Sequence, residues 1–310
     1  MIAHDIVVIG GSAGSLRAIE TVTRSLSTEL KAAVFIVLHL HSRSDSFLAP
    51  ILGRQTPLEV RQPCDGDPIC PGTIYVPIPD HHLIVARDHV HVSRGPKEGL
   101  YRPSINATFR SAAVSHGPSV IGILLSGMLN DGASGLWEIA KHKGIVIVQD
   151  PEEAQFPSMP MNAIQDVPLN YTLQAEEIGP LLNDLVLGKK NAPAPDLTSQ
   201  TSCDPGKFAG FTCPECHGPL RQTRVEPVEF ECRVGHVFSL DSLIEQQTST
   251  QERKLYEAVV ALEEGADALE CAAGKLNEKS RSKLLNEAEQ LRSQAASIRK
   301  LIEQRSVSSL

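Results

Sequence analysis

Short apolar runs alternate with helical patterns along the first part of the chain. The runs at residues 33–38, 120–125 and 145–149 are apolar almost throughout, which is typical of strands buried on both faces. The candidate strands are residues 6–9, 33–38, 74–76, 83–86, 89–93, 120–125 and 145–149. The candidate helices are residues 15–26, 46–54, 104–115, 132–142 and 175–187. Strands alternating with helices predict an α/β fold with a doubly wound, mostly parallel sheet.

Residues 66–93 interrupt this alternation. Proline and glycine punctuate the segment, and its short apolar runs alternate with polar positions. We therefore predict an antiparallel hairpin appended to the parallel sheet.

The pattern changes again after residue 187. Residues 188–202 are polar, contain prolines and have no periodicity, which predicts a linker. Residues 248–305 contain no proline, and apolar or alanine positions recur there at helical spacing on both sides of a polar break. This pattern predicts a C-terminal helical hairpin or coiled coil, whose simplest role is packing without chemistry. The predicted organisation is a main domain at 1–189, a linker at 190–207, a small cysteine-containing module at 208–247 and the helical hairpin at 248–310.

The composition narrows the possible classes of protein. The net charge of −8 offers no basic face for nucleic acid. The longest apolar runs are far shorter than the ~20 residues of a membrane span, and no signal peptide is evident, so we expect a cytoplasmic protein without direct membrane insertion. Seven cysteines, an odd number, favour reduced thiols or a metal site over a disulfide framework.

A glycine-rich turn follows the first candidate strand. Gly10, Ser12 and Gly14 have the G-x-S-x-G spacing of a nucleophile elbow, in which glycines allow a sharp strand-to-helix turn. The alternative is a phosphate-binding turn in which Ser12 is only an N-cap. The dinucleotide fingerprint G-x-G-x-x-G is not met, because Ser12 occupies the position of its second glycine.

Polar side chains also follow other strands of the predicted sheet. His39 follows the second strand, and Asp131 and Asp150 follow the runs at 120–125 and 145–149. Because sites in parallel sheets form at the carboxyl ends of the strands, Ser12, His39 and Asp131 could provide the nucleophile, base and carboxylate of a triad.

Each of these roles has a competitor. Ser126 also follows a strand and precedes a glycine, His41 lies two residues beyond His39, and Asp150 is a second carboxylate at a strand end. The pattern alone leaves these alternatives open.

Four residues after the linker have the spacing of metal ligands. Cys213-x₂-Cys216 and Cys232-x₃-His236 provide two close pairs, and zinc favours four tetrahedral thiolate or imidazole ligands. We therefore predict a structural zinc in a ribbon, with no open position for catalysis. His217 is an alternative ligand of awkward geometry, and unmetallated thiols are the alternative to the site as a whole. The cysteines without metal pairing are Cys64, Cys70, Cys203 and Cys271.

Five separated motifs carry a resemblance to a known family. They are IGGSAG at 9–14, VLH at 37–39, YRPSINATF at 101–109, LSGMLNDG at 125–132 and QDPEEA at 149–154. Together they resemble, over about residues 5–187, the catalytic domain of CheB-type chemotaxis protein-glutamate methylesterases. The ribbon resembles an extension of some CheB-type proteins that have no receiver domain.

The resemblance implies an activity and a set of residues. The family's serine, histidine and aspartate fall on Ser12, His39 and Asp131, and the expected oxyanion donors are the backbone N–H of Ala13 and one near Met128. The implied reaction is cleavage of glutamate methyl esters on a methylated chemoreceptor-like protein, with release of methanol. The family also deamidates glutamines, and the reaction needs no cofactor.

The chain departs from the family pattern in three respects. Ala13 replaces a common threonine, Ser15 replaces a common second glycine, and the elbow lies so near the start of this sequence that we expect no receiver domain before it. We therefore expect no regulation by an attached receiver. We expect the C-terminal tail to take its place as a docking or covering element, with a separate receiver or kinase as its partner. The alternative function is that of a catalytically degenerate adaptor that binds receptor or signalling helices.

Overall fold

A sheet of seven parallel strands forms the centre of the chain in a computed structural model, which describes residues 4–39, 48–192, 208–225, 228–274 and 278–307. The strands up to residue 192 are β1 (Ile6–Gly11), β2 (Ala33–Leu38), β3 (Glu59–Arg61), β4 (Thr73–Tyr75), β5 (His82–Val85), β6 (Val90–Ser93), β7 (Val120–Leu124), β8 (Ile145–Gln149) and β9 (Tyr171–Leu173). The helices of this part are α1 (Leu16–Arg24), α2 (Leu48–Gly53), α3 (Ile105–His116), α4 (Ala133–Lys141), α5 (Ser158–Asp166) and α6 (Ala175–Val186).

The sheet has the strand order β3-β4-β2-β1-β7-β8-β9, and its neighbouring strands are all parallel. Successive side chains of each strand pack on opposite faces: Val7 lies in a core with α1 and α6, and Val8 lies in a core with α3, α4 and α5. This two-sided burial explains the continuously apolar strands and confirms the mostly parallel α/β sheet. The winding reverses between β1 and β7, which is where such sheets place their sites.

The middle segment differs in part from the sequence prediction. β5 and β6 form an antiparallel pair, as expected, but β4 belongs to the parallel sheet beside β2. The short strands β3 and β9 and the helix α5 were not predicted: the residues of β3 and β9 are largely exposed or half-buried and form no apolar run, and α5 has only three buried residues. His41 and most of the predicted linker lie outside the described residues.

A second, antiparallel sheet follows in the order β10-β11-β12-β13, which we call the ribbon. Its strands are β10 (Phe208–Thr212), β11 (Pro219–Val225), β12 (Val228–Cys232) and β13 (Val237–Ser239). Its buried core consists of Cys213, Leu220, Phe230, Cys232, Phe238 and Leu243.

The chain divides into two compact units, Met1–Leu243 and Ile244–Leu310, so the ribbon belongs to the first. The second unit contains most of α7 (Leu240–Ala273) and all of α8 (Glu278–Val307). Its buried apolar positions recur every seven residues, at Val259, Ala266 and Ala273 and at Ala288, Ala295 and Ile302. Ion pairs of Arg292 with Asp267 and of Arg299 with Glu263 show that the two helices run antiparallel. None of the described helices combines the length and apolarity needed to cross a bilayer.

Candidate active site

Ser12 lies in the turn between β1 and α1, at the reversal of the sheet. Its amide donates to the Ser126 carbonyl oxygen beyond β7 at 2.9 Å, and its own carbonyl accepts from the Ser15 hydroxyl at 2.7 Å. Gly14 has a φ of 72°, a conformation that glycine adopts without steric cost. A Cβ at Gly10 would lie 2.3 Å from the side chain of Ile105, so the strand end packs closely on α3. The glycines are therefore required by this turn, as the elbow interpretation expected.

His39, directly after β2, contacts Ser12. Its Nδ1 lies 2.9 Å from Ser12 Oγ, and its Nε2 lies 2.7 Å from Asp131 Oδ2. The ring is reversed relative to the serine-protease triad, in which Nε2 faces the hydroxyl. The ring of Tyr101 stacks on the imidazole, with centroids 3.6 Å apart and planes 5° from parallel. The side chain of His39 is 8% exposed, so its position is closely restrained.

Asp131 is buried at the N-terminus of α3. Its Oδ1 accepts from Ser104 Oγ and from the Asn106 amide, and its Oδ2 accepts from the Ile105 amide and His39. Burial alone would raise the pKa of this carboxyl, but the hydrogen bonds and the nearby imidazole outweigh it and hold the pKa below its usual range. The carboxylate is thus ionised and oriented towards the imidazole.

Two leucines near the site have an unusual backbone conformation. Leu129 has a φ of 66° and Leu100 has a φ of 82°. A bulky residue in this region costs about 1–3 kcal/mol and persists only where its surroundings restrain it. Leu129 lies two residues before Asp131, and Leu100 directly precedes Tyr101, so both strained positions belong to segments that contact His39 or the carboxylate that it binds.

The two candidate oxyanion amides lie in the turns beside Ser12. Within the part of the chain that the structure describes, the N–H groups of Ala13 and Met128 have no hydrogen-bond partner. A Cβ at Gly127 would lie 3.0 Å from Ser12 Cβ, so this turn approaches the serine closely. Both amides are therefore available to a substrate oxygen.

The competing residues have structural partners of their own. The Ser126 hydroxyl donates to the Ala13 carbonyl at 2.9 Å and accepts from the Phe156 amide at 3.0 Å, which ties two turns together. Asp150 Oδ1 accepts from the Glu152 amide in the loop after β8.

Cys213, Cys216, Cys232 and His236 converge in the ribbon. Their ligand atoms all lie within 4.8 Å of one another. The sulfurs of Cys216 and Cys232 are 3.5 Å apart, and His236 Nδ1 lies 3.4 Å from Cys232 Sγ. A tetrahedron with metal–sulfur bonds of ~2.3 Å has edges of about 3.8 Å, so the donor set fits one small ion. Burial raises the pKa of the Cys213 thiol to about 12, a cost that a bound metal removes by stabilising the thiolate.

Comparison with known proteins identifies the family of the main domain. The profile of the CheB methylesterase family matches residues 7–182. The chain belongs to the CheB methylesterase family. The family is one of hydrolases, and its catalytic unit corresponds to the parallel sheet and its helices.

Individual relatives cover the same part of the chain. A Leptospira interrogans protein is 33% identical over 179 residues, which span 57% of this chain and 93% of the relative. A Methanosarcina mazei protein, named protein-glutamate methylesterase/protein-glutamine glutaminase, is 35% identical over 56% of this chain, but the match spans only 50% of that protein. The crystal structure of the Thermotoga maritima CheB methylesterase catalytic domain superposes with a TM-score of 0.57 at 28% identity, and the match covers 60% of this chain and all of that one.

Sequence reasoning missed several residues of the site. Tyr101, Ser104 and Asn106 all lie in the motif at 101–109, but no role followed from the pattern. Ser104 could have been found as the N-cap of α3, since its side chain accepts from the Ala107 amide. The stacking of Tyr101 on His39 depends on tertiary structure and has no signal in the sequence.

Proposed function

We propose that the chain hydrolyses glutamate γ-methyl esters on chemoreceptor-type signalling proteins through Ser12, His39 and Asp131. The observation that carries the proposal is the chain of short hydrogen bonds from the Ser12 hydroxyl through both nitrogens of His39 to Asp131. This arrangement can move a proton from a hydroxyl to an imidazole and stabilise the resulting cation.

The chemistry is acyl transfer in two steps. Ser12 Oγ attacks the ester carbonyl while its proton passes to His39 Nδ1, and Asp131 stabilises the imidazolium at Nε2. The oxyanion accepts from the amides of Ala13 and Met128, each worth about 3 kcal/mol in a related setting. Collapse breaks the bond to the methoxy oxygen, which takes the proton from His39 and leaves as methanol. Water then hydrolyses the glutamyl-serine ester by the same proton transfers in reverse.

The same acyl-enzyme accounts for a second proposed activity, the deamidation of glutamine. Attack on a glutamine side chain gives the identical glutamyl-Ser12 ester, with ammonia as the leaving group. The paired name of the Methanosarcina mazei relative supports this proposal.

Methanol release from a methylated receptor fragment, together with fluorophosphonate labelling, tests the function. We expect labelling at Ser12 and a loss of turnover on the order of 10⁴–10⁶ in Ser12→Ala, since triad residues act as a unit. Ser126→Ala is the matched control for the competing serine and should remain labelled. Labelling that persists in Ser12→Ala would contradict the assignment. Receptor binding without labelling or methanol release would favour the alternative of a degenerate adaptor.

We also propose that Cys213, Cys216, Cys232 and His236 hold a structural zinc. The mutual proximity of three thiols and an imidazole, with Cys213 and Cys232 buried in the core of the ribbon, supports it, and four protein ligands leave no position for a substrate. Metal analysis should find one zinc per chain, and a Co²⁺-substituted sample should show the absorption of a tetrahedral thiolate site. Zinc at well below one equivalent after purification without chelators would count against the site.

The second unit is proposed as the contact for a separate receiver or kinase. Among its exposed apolar side chains are Tyr256, Val260 and Leu285, which could meet such a partner. Truncation after residue 243 should then abolish partner binding while methanol release continues.

A further inference from the structure

The ribbon binds the residue that precedes the triad carboxylate. Asn130 Nδ2 donates to Asp241 Oδ2 at 3.0 Å, and Asn130 Oδ1 accepts from Ser239 Oγ at 2.8 Å. Ser239 ends β13, and Asp241 lies in the first turn of α7, so both belong to the same unit as the triad. Both polar ends of the buried Asn130 side chain are thus bound from the ribbon side, next to Asp131.

The helix that follows this loop, α4, is held by the ribbon as well. Ser134 Oγ donates to Glu229 Oε2 at 2.5 Å and accepts from Arg224 Nη1 at 2.7 Å. Arg224 also forms an ion pair with Glu138 and lies 4.7 Å from the centre of the Trp137 ring. Strands β11 and β12 therefore contact three positions along α4, and these contacts are mostly buried.

The loop that carries Tyr101 meets the ribbon from another side. The Gly99 amide donates to the Val237 carbonyl oxygen at 2.7 Å, which adds this loop to the edge of β13. Leu100 packs against the apolar core of the ribbon. Tyr101 and Asp131 both restrain the imidazole of His39. The ribbon therefore contacts the residue directly before each of them, Leu100 and Asn130.

We propose that the ribbon is a positioning element that keeps Asp131 at hydrogen-bond distance from His39, with Asn130 and Arg224 as its positioning residues. The conformations of Leu129 and Leu100 support the proposal, because strained residues persist where several neighbours restrain them. The inference rests on the proposed role of Asp131 in catalysis.

The candidate metal ligands lie on the strands that make these contacts. Cys232 ends β12, which carries Glu229, and His236 directly precedes Val237 of β13. A metal that joins Cys232 and His236 to Cys213 and Cys216 would therefore fix the spacing between β12 and β13. The positioning effect should then depend on metal.

Two arginines of β11 provide a matched pair for the test. Arg224 docks on α4, whereas Arg221 is exposed. In the full-length, metal-loaded chain, Arg224→Ala should lower kcat and the rate of fluorophosphonate labelling at Ser12 by about tenfold or more with little change in KM, since a misplacement of ~1 Å can cost about 10²-fold. Arg221→Ala should behave as the wild type, and Arg224→Lys should recover part of the loss.

Metal removal from the wild type is an independent arm that does not depend on the folding of a variant. Chelation should lower the labelling rate, and Zn²⁺ should restore it. Labelling at the wild-type rate in metal-loaded Arg224→Ala would overturn the positioning role, and so would labelling at that rate in a metal-free wild type whose ribbon has lost its protection in hydrogen–deuterium exchange. If the metal-loaded wild type is neither labelled nor releases methanol, the proposed function fails instead, and the two failures are thus distinguished.

Discussion

The parallel sheet and the ribbon are stabilised in different ways, although they belong to one unit. The sheet is covered by helices on both faces and has two large apolar cores, so burial of apolar side chains is its main source of stability. The ribbon buries only six residues in its core, and two of them, Cys213 and Cys232, are candidate metal ligands. A core of this size rarely stabilises a small module by itself, so we expect the proposed metal to contribute much of the stability of the ribbon. The candidate triad thus lies on a sheet with two large apolar cores, and the ribbon that contacts its neighbourhood has a much smaller core.

The largest expected effect is that of losing the proposed zinc from the ribbon. Cys213→Ser removes one ligand of the proposed zinc, whose binding contributes on the order of 10 kcal/mol or more to the folding of small zinc modules. We expect the amides of β10–β13 to lose protection in hydrogen–deuterium exchange while those of β1, β7 and β8 stay protected. Cys64→Ser, at an exposed cysteine outside the cluster, is the control. Equal protection of the ribbon in both variants would show that it folds without metal.

The second effect concerns the triad at the edge of the sheet. Asp131→Asn should lower kcat about 10⁴-fold, because an asparagine cannot stabilise the imidazolium and favours the wrong tautomer. Asp150→Asn, the competing carboxylate at the end of β8, is the matched control and should keep its turnover. Comparable losses in the two variants, measured by methanol release, would contradict the assignment of Asp131.

The same contrast explains how much could be predicted from the sequence. The sheet was predictable because residues such as those of β2 and β8 are buried on both faces and therefore apolar at nearly every position. The residues at the strand ends followed from the rule that parallel strands end at one edge. The cluster of candidate metal donors followed from spacing, because a C-x-x-C turn brings its two sulfurs together in any fold.

The docking of the ribbon could not be predicted. Its contacts join polar residues far apart in the chain, such as Ser134 with Glu229 and Asn130 with Asp241. Each of these side chains is also common on exposed surfaces, and no local pattern distinguishes a buried pair from a solvated one. The positive φ of Leu129 could not be predicted from the sequence either, because leucine has no preference for that conformation.

A third prediction compares equivalent losses in the two cores. Phe35 is fully buried and stacks on Tyr75, and Phe230 packs edge-on against Phe211 in the ribbon. Either Phe→Ala change should cost about 3–5 kcal/mol. In Phe35→Ala the sheet should stay folded with a lower melting temperature, because its cores are large. In metal-free Phe230→Ala the ribbon should unfold, because its core of six residues is too small to tolerate the loss of a phenylalanine. Calorimetry with and without chelator measures both, and a chelator-independent melt of Phe230→Ala would show that the ribbon does not rely on metal.

The smallest expected effect is the pH dependence that Asp80, in the loop between β4 and β5, gives to the free energy of unfolding. Hydrogen bonds from Arg94 and Arg102 hold the pKa of Asp80 at about 2, below the ~3.9 of an unfolded chain. Since the folded pKa is the lower one, the unfolded state binds more protons in this window, and the stabilisation is present above about pH 4 and lost as the pH falls towards 2. Because these groups are partly solvated, we expect Asp80→Asn to cost no more than about 1 kcal/mol at neutral pH and to flatten the dependence of unfolding free energy on pH between 4 and 2. Urea titrations of the wild type and of Asp80→Asn in the presence of chelator separate the contribution of Asp80 from the effect of metal release from the ribbon at low pH. Parallel pH profiles for wild type and Asp80→Asn would mean that the two arginines do not stabilise the carboxylate of Asp80.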